Sequence, residues 1–332
     1  MNDNIADILS NALQCIEDKQ YNDAIAMLQT FVSGHPEMID RRFSSEVNLL
    51  NRLIEYRSAL GEWEYFRVMK LVYKYCEKKY ASVLPETSPL PSAALSDPDT
   101  IWWCWLQGFE QAPELVKACY RSLEKLNRPI QIITNDNYRE FVSIPQVLTD
   151  KWKSGIISNT HFSDILRIAL LTERGGTWID STVYCSDNTL ITDIMNTSPL
   201  FCYSFAMRDT INEEMMYDNW FLHCSSPSPI LSDTRTMLYD FWTNEDNTMH
   251  YFLFHLLFTL ACKRHPAEAA GIPLFSLEPC HILQLELLHP YSELRWKQIM
   301  QMSGIHKLTY KYNADADISG TMLEHFLKTT GN

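Results

Sequence analysis

The sequence predicts an α/β protein whose open, mainly parallel sheet is flanked by helices and preceded by a small all-helical domain. Apolar residues recur at helical spacing through residues 1–83, whereas short β-branched and aromatic runs alternate with helical patterns from residue 101 onwards. A segment rich in proline and serine, residues 84–100, separates the two patterns. We therefore expect a helical domain over 1–83, a linker or surface strap over 84–100 and an α/β domain over 101–332.

The amino-terminal residues have the spacing of a helical hairpin. Apolar positions recur at i, i+3, i+4 and i+7 from Ile5 and again from Tyr21. The second run resembles a helix of a tetratricopeptide repeat, but no second copy follows at the ~34-residue period of such arrays. A tetratricopeptide-like hairpin and a plain bundle therefore both stay open, and further helices are predicted over 44–59 and 62–80.

The elements of the α/β domain follow one another at short intervals. Strands are predicted over residues 101–105, 129–134 and 177–184, and helices over 113–127, 137–142 and 161–174. Beyond Asp187 the pattern predicts helices over 229–242 and 250–265, loop and short helix over 207–220, and short strands over 274–277 and 306–310. Strands and helices in this alternation form a parallel sheet, which binds ligands at the carboxyl ends of its strands.

Composition and charge exclude several classes of partner. Twenty-eight Lys and Arg against 41 Asp and Glu give a formal net charge of −13, which repels nucleic acid, so no nucleic-acid partner is expected. The nine cysteines are an odd number without a C-x-x-C pair, which predicts buried free thiols in a reducing compartment. No signal peptide and no apolar run of ~20 residues is present, so we expect a soluble, cytoplasmic chain without a transmembrane segment.

The sequence motifs of several common chemistries are absent. The sequence contains no G-x-S-x-G elbow, no G-x-x-x-x-G-K-[ST] phosphate loop, no G-x-G-x-x-G fingerprint and no H-E-x-x-H zinc helix. Hydrolase, P-loop and dehydrogenase functions therefore lose their main support.

The block from His161 to Cys185, HFSDILRIALLTERGGTWIDSTVYC, contains the candidate site. Asp164 and Arg167 lie three residues apart on one helix face, and the following strand delivers Asp180 at its carboxyl end. Two carboxylates and a guanidinium would then meet at the ligand-binding edge of the sheet. Taken one by one, the same residues are also explained by a surface ion pair between positions i and i+3 and by an aspartate in a turn.

The block as a whole resembles the pattern S-D-[IL]-[IL]-R-x-x-x-L-x-x-x-G-G-x-[WY]-[IL]-D-x-[DT] of sugar transferases with the GT-A nucleotide-sugar-binding fold. It is most similar to the capsular polysaccharide synthesis family, which is similar in turn to the initiating mannosyltransferases and the glucosylating toxins. Residues 101–113, 133–142, 251–258 and 306–311 resemble further motifs of that family. The resemblance covers residues 101 to about 312 and leaves the amino-terminal helices outside it.

The resemblance implies a glycosyltransferase, specifically a nucleotide-sugar-dependent hexosyltransferase, that acts on a capsule or O-antigen (lipopolysaccharide) intermediate. Its partners would be a nucleotide-sugar donor and a glycan or lipid-linked glycan acceptor, with peripheral membrane association an open possibility. By the same resemblance Asp180, Arg167 and Asp164 are catalytic. The nucleotide sugar would be bound by Trp105, Asp164, Arg167, Gly176 and Lys307. Trp105 would stack on the base, unless its ring packs in the core instead.

The resemblance also implies a divalent cation, Mn²⁺ or Mg²⁺, held by Asp180 and His306. Most GT-A enzymes have Asp-x-Asp, whereas this chain has Asp180, Ser181 and Thr182, so a hydroxyl replaces the second carboxylate. One carboxylate can still hold such a cation together with diphosphate oxygens and water. Lys307 would neutralise phosphate charge, although His306 and Lys307 are also explained as a solvated strand end.

The alternative function is that of a non-catalytic interaction protein. Its partner would dock on the amino-terminal helices, and Thr182 would mark a degenerate GT-A domain. The joint presence of Asp164, Arg167 and Asp180 argues against this alternative.

Two further expectations concern acidic residues. The stretch from Asp209 to Asp218 could present a base to the acceptor hydroxyl, but we expect a solvated loop there. Because Asp180 would lie beside Asp164 without compensation, we also expect the change Asp180→Asn to leave the melting temperature almost unchanged or to raise it.

Overall fold

A computed structural model describes residues 62–81, 84, 94–205, 213–312 and 316–330, together with the single positions 11, 14 and 27. Apart from those single positions, the predicted hairpin and the helix over 44–59 lie outside the described residues, as does most of the 84–100 segment. The division of the chain at 84–100 therefore stays a prediction.

The described residues form seven strands and eleven α-helices. The strands are β1 (Ile101–Cys104), β2 (Ile130–Ile133), β3 (Gly176–Ile179), β4 (Val183–Cys185), β5 (Leu200–Ser204), β6 (Tyr217–Cys224) and β7 (Ile305–Lys307). The helices are α1 (Glu62–Ala81), α2 (Glu114–Leu123), α3 (Gln146–Lys153), α4 (Asn159–Glu173), α5 (Thr189–Thr197), α6 (Pro229–Asn244), α7 (Leu253–Arg264), α8 (Pro266–Ala269), α9 (Glu278–Glu286), α10 (Glu293–Met302) and α11 (Met322–Thr330). Short 3-10 turns follow α2 and β2.

The central sheet has five strands in the order β2-β1-β3-β6-β5. Strand β1 pairs in parallel with β2 and β3, while β6 runs antiparallel to both β3 and β5. The strands β1, β2, β3 and β5 therefore point the same way, and the predicted mainly parallel α/β sheet is confirmed. Because β6 alone is reversed in this sheet, its first residues reach the edge at which the other four strands end.

Each face of the sheet carries its own hydrophobic core, because neighbouring side chains on a strand point to opposite faces. Trp102 belongs to the core on one face and Trp103 to the core on the other, and both are buried. The first core packs under α1, α4, α6 and α7, and the second under α2, α5, α9, α10 and α11. The sheet is thus held between two helical layers.

Helix α4 is buried around its whole circumference because it lies between the sheet and α6. Ser158 begins the helix by accepting a hydrogen bond from the His161 amide at 3.3 Å. Gly175 and Gly176, at φ values of 79° and 95°, make the turn into β3. A Cβ on Gly176 would lie 2.4 Å from the Thr100 carbonyl oxygen. The segment that ends at Thr100 therefore passes too close to this turn for a side chain at position 176.

Three predicted elements differ in the structure. The strand predicted over 177–184 is divided by a turn after Asp180, in which the Val183 amide donates to Asp180 O at 3.0 Å. Its second half, β4, pairs with β7 in a separate two-stranded sheet. The stretch 207–220 was predicted as loop and short helix, but its residues 217–220 begin strand β6. The described residues 274–277 make a single bridge, from Ser276 to Ser204, in place of a strand.

Helix α1 packs on the α/β unit and shares its core. Met69 and Cys76 are fully buried in the first core. Tyr75 donates to Glu245 Oε1 at 3.0 Å, and Glu245 is 1% exposed at the end of α6. Helix α1 is therefore part of the helical layer over the first core.

The predicted burial outside disulfides is confirmed for the described cysteines: Cys76, Cys104, Cys119, Cys185, Cys202, Cys224, Cys262 and Cys280. The reducing compartment stays a prediction. Burial raises the pKa of Cys76 and of Cys104 to about 12, so both thiols stay protonated at neutral pH. Cys15 lies outside the described residues.

Candidate active site

A cavity of about 700 Å³ opens at the edge of the sheet where β1, β3 and β5 end. Trp105, Asp180 and Phe205 each follow one of these strands and line it, together with Asp218 at the start of β6. Lys307 closes the cavity from the second sheet. Parallel α/β sheets bind ligands at this edge, so the site lies where the alternation of elements predicts it.

Asp180 is the most heavily bonded carboxylate of the cavity. Its Oδ1 accepts from Arg167 Nη2 at 2.9 Å and from Trp178 Nε1 at 2.8 Å, and its Oδ2 accepts from Lys307 Nζ at 2.6 Å. Burial alone would raise the pKa of Asp180, but the Lys307 and Arg167 charges outweigh it and lower the pKa to about 2. Asp180 is therefore ionised throughout the physiological range.

Lys307 is held by backbone pairing as well as by its ammonium group. It lies opposite Val183 in the β4–β7 ladder, and the next residue, Leu308, donates its amide to Thr182 O at 2.9 Å. Its Nζ donates to Thr182 Oγ1 at 2.9 Å in addition to Asp180. The hydroxyl at the second position of the usual Asp-x-Asp thus binds a lysine.

Arg167 and Asp164 are joined by a short ion pair but lie behind the cavity wall. They are only 3% and 7% exposed, and neither is among the residues that line the cavity. Arg167 holds Asp180 at the wall, and Asp164 holds Asn219 there, through an Asn219 Nδ2 to Asp164 Oδ1 bond of 2.9 Å. The burial argues against a surface ion pair, and equally against direct contacts of these two residues with the nucleotide sugar.

Trp105 lines the cavity near its rim, opposite Tyr310. The two rings meet edge to face, with centroids 5.3 Å apart. Trp105 is half-buried, whereas Tyr310 is 39% exposed. The pair offers a flat ligand an aromatic surface, and Trp105 both lines the cavity and packs against the second core.

A second carboxylate of the cavity, Asp218, is paired with His255 on the opposite element, α7. His255 Nε2 lies 3.2 Å from Asp218 Oδ1, and both residues line the cavity. Burial would raise the pKa of Asp218, but hydrogen bonds from His255 and the Asn219 amide hold it below its ordinary value. The expected solvated loop is therefore wrong for Asp218. The apolar run that begins at Trp220 was the available sign of a strand.

Besides Asp164 and Arg167, two further predicted site residues do not line the cavity. Gly176 begins β3, at the opposite end of the strand from Asp180, where it serves the tight turn described above. His306 is fully buried on the face of β7 opposite to Lys307, with Nε2 3.0 Å from Ser186 Oγ and its ring stacked on Tyr184. Burial lowers the pKa of His306 to about 4, so its ring is neutral at pH 7.

The donor groups around Asp180 do not fit the divalent cation implied by the resemblance. Both oxygens of the carboxylate are bonded to cationic side chains, and the expected second ligand, His306, faces away. Within the described part of the chain, no three His, Cys, Asp or Glu residues are grouped as a metal would require. Positive charge at this position is instead supplied by Lys307 and Arg167.

The model of one protein family, described as capsular polysaccharide synthesis protein, matches residues 55–326, well over half of the chain. The chain belongs to the capsular polysaccharide synthesis family. The family match begins at residue 55 and so includes α1, which the sequence motifs alone had left outside the resemblance. It contains every residue described in this site. No curated protein matches the chain.

Membership of the capsular polysaccharide synthesis family gives the chain a role in capsule biosynthesis. In this member, the motif block of the family forms α4, the glycine turn and β3, and it ends at the cavity with Asp180. Among the described residues, no helix combines the length and the apolar character needed to cross a membrane.

Proposed function

We propose that this chain transfers a sugar from a nucleoside diphosphate donor to an intermediate of a surface glycan, a capsule or an O-antigen. The proposal rests on one observation above all: a lysine and an arginine converge on Asp180 in the cavity at the carboxyl edge of the sheet. Family membership supports the glycan pathway. The hexosyl nature of the donor sugar is part of the same proposal.

On the donor side, the bond from the anomeric carbon to a diphosphate oxygen breaks, and its electron pair leaves with the diphosphate. The transition state is stabilised by positive charge already in place where this negative charge develops. Lys307 lines the cavity with its side chain 18% exposed, so its ammonium group can bind the leaving diphosphate. Arg167 is a positioning residue: it binds Asp180, and Asp180 in turn holds Lys307.

The base of the nucleotide is assigned to the aromatic pair of Trp105 and Tyr310. Stacking on an aromatic ring binds every base through its π-face and is worth about 1–3 kcal/mol in other systems. Tyr310 is 39% exposed, so its ring has room to turn away from Trp105 when a base binds.

Asp218 is assigned to the acceptor. Asp180 and Asp218 are the carboxylates among the described residues that line the cavity, and Asp180 is already bound by Lys307 and Arg167. Asp218 is ionised, so it can orient an acceptor hydroxyl and take its proton, while His255 fixes the carboxylate in place.

The proposed function is tested with a panel of nucleotide sugars and a lipid-linked or free glycan acceptor. Nucleotide release and direct binding of the donor are both measured with the full chain. We expect at least one nucleotide sugar to bind and to be turned over faster when acceptor is present. Binding of none of them would favour a non-catalytic interaction protein with a degenerate GT-A domain.

A further inference from the structure

We propose that Lys307, clamped between Asp180 and Thr182, takes the place of a divalent cation, so that nucleoside diphosphates bind in this cavity without a metal ion. This inference rests on the proposed function, because it assumes that the ligand is a nucleoside diphosphate. It concerns how the diphosphate charge is neutralised, which family membership leaves open.

The first support is the occupation of the carboxylate that would hold a metal. Mg²⁺ binds carboxylate oxygens at about 2.0–2.1 Å, and Mn²⁺ is a similarly hard cation that favours oxygen ligands. On Asp180, Oδ2 is taken by the Lys307 ammonium at 2.6 Å, and Oδ1 by Arg167 and Trp178. Three of the about four acceptor sites of Asp180 are thus occupied, and a metal ion at the remaining site on Oδ2 would lie beside the Lys307 ammonium group, a like charge.

The second support is the residue at the position of the missing carboxylate. Thr182 is 7% exposed, and its hydroxyl oxygen accepts from Lys307 Nζ at 2.9 Å. A threonine hydroxyl is a weak ligand for a hard cation but a good acceptor for an ammonium group. The departure from Asp-x-Asp therefore suits a lysine at this position better than a metal.

The third support is what Lys307 retains for a ligand. An ammonium group has three N–H donors, and Asp180 and Thr182 take two of them. The side chain is 18% exposed and borders the cavity. Pairing of β7 with β4 fixes its backbone opposite Val183, so the charge is positioned before any ligand arrives.

Two carboxylates of the site have their charges balanced by cationic side chains. Asp164 and Asp180 are compensated by Arg167 and Lys307, which form one continuous chain of ion pairs. The remaining carboxylate of the cavity, Asp218, is paired with His255. Lys307 and Lys311 are the cationic side chains among the described residues that line the cavity, and Lys307 still has an N–H donor for an incoming diphosphate.

The test measures binding, independently of turnover. The full chain is titrated with UDP and with GDP by calorimetry, once with EDTA and once with Mn²⁺. Mn²⁺ binding to the protein alone is followed by the loss of the paramagnetic resonance signal of the free ion. We expect the wild-type protein to bind one of the two nucleotides with affinities that agree within about twofold in EDTA and in Mn²⁺, and to bind no Mn²⁺ by itself.

The decisive variant is Lys307→Met, with Lys328→Met as the matched control on the exposed face of α11. A charge-assisted hydrogen bond contributes enough that its loss should weaken nucleotide binding in EDTA by about tenfold or more. Because the substitution removes the lysine from Oδ2 of Asp180, Mn²⁺ should bind that oxygen and restore part of the nucleotide affinity. The control should bind as the wild-type protein does, since Lys328 is 70% exposed. Thermal unfolding of each variant verifies that it folds.

Each outcome has a separate meaning. Wild-type binding that requires Mn²⁺, or Lys307→Met binding that equals wild type in EDTA, overturns the inference but leaves the nucleoside diphosphate assignment standing. Absence of UDP and GDP binding under both conditions overturns the proposed function and the inference together. The wild-type comparison needs no substitution, so the inference can be refuted even if Lys307→Met does not fold.

Discussion

Replacing Asp180 by asparagine removes one charge from a network in which two cationic side chains bind it. The structure reverses the expectation from sequence, because Asp180 is compensated by Lys307 and Arg167 instead of being repelled by Asp164. Lowering the pKa of Asp180 from 3.8 to about 2 means that the ionised form stabilises the folded protein by about 2 kcal/mol. We therefore expect Asp180→Asn to lose about that much stability at pH 7.

The expected thermal shift follows from chain length. An unfolding entropy of about 2.1 cal/mol/K per residue gives roughly 0.7 kcal/mol/K for 332 residues, so the melting temperature should fall by about 3 °C. Because the folded pKa lies below the unfolded one, the stabilisation is present above about pH 4 and is lost as the pH falls through about 2. At pH 3 about half of the difference between the variant and the wild-type protein should remain.

The assay is urea unfolding, followed by tryptophan fluorescence at pH 7 and at pH 3. Asp246→Asn is the control, because Asp246 also pairs with a lysine, Lys151 at 2.8 Å, but is 70% exposed. A surface pair of this kind is worth about 0–1 kcal/mol. Equal stability of Asp180→Asn and the wild-type protein at pH 7 would refute the assignment of a stabilising ion-pair network. So would a difference that does not shrink at pH 3.

Three further predictions address the base, the acceptor and the turn before β3. Trp105→Ala should weaken UDP or GDP binding by about 1–3 kcal/mol in calorimetry while the protein stays folded, and unchanged affinity would remove Trp105 from the base site. Asp218→Asn should leave donor binding within about twofold but slow sugar transfer by about 100-fold or more in a nucleotide-release assay with acceptor, and equal loss of both would contradict the acceptor assignment. Gly176→Ala should lower the melting temperature by several degrees more than the control Gly271→Ala, which lacks a positive φ, because the new Cβ meets the Thr100 carbonyl oxygen at 2.4 Å. Similar melting temperatures of the two glycine variants would show that the turn tolerates a side chain.

The parts of the fold that the sequence predicts well are those with a strong local pattern. Strands β1 and β2 and helix α4 are short apolar runs or long apolar helices with clear ends, so local periodicity identifies them. Strand β6 was missed because it is buried on both faces and does not alternate, and because acidic residues precede it. A continuously buried strand has no period that separates it from other apolar segments.

The candidate site was predicted only in part, because local spacing does not show how the elements pack on one another. The spacing of Asp164 and Arg167 places them on one helix face, but it does not reveal which elements cover that face. Since α4 is enclosed by the sheet and α6, both residues became supports for Asp180 and Asn219. Whether His306 or Lys307 faces the cavity depends on how the side chains alternate along a three-residue strand. That alternation cannot be predicted before the pairing of the strand is known.

Strand β7 also determines when the site can exist during synthesis. Lys307 bonds to Asp180 across 127 positions of the chain, and the short ladder of β7 with β4 brings them together. A nascent chain that has reached residue 300 already contains β1 to β6, yet its Asp180 has Arg167 as a charged partner and no lysine. The lysine to which the proposed function assigns the diphosphate is therefore added to the site only when synthesis has passed β7.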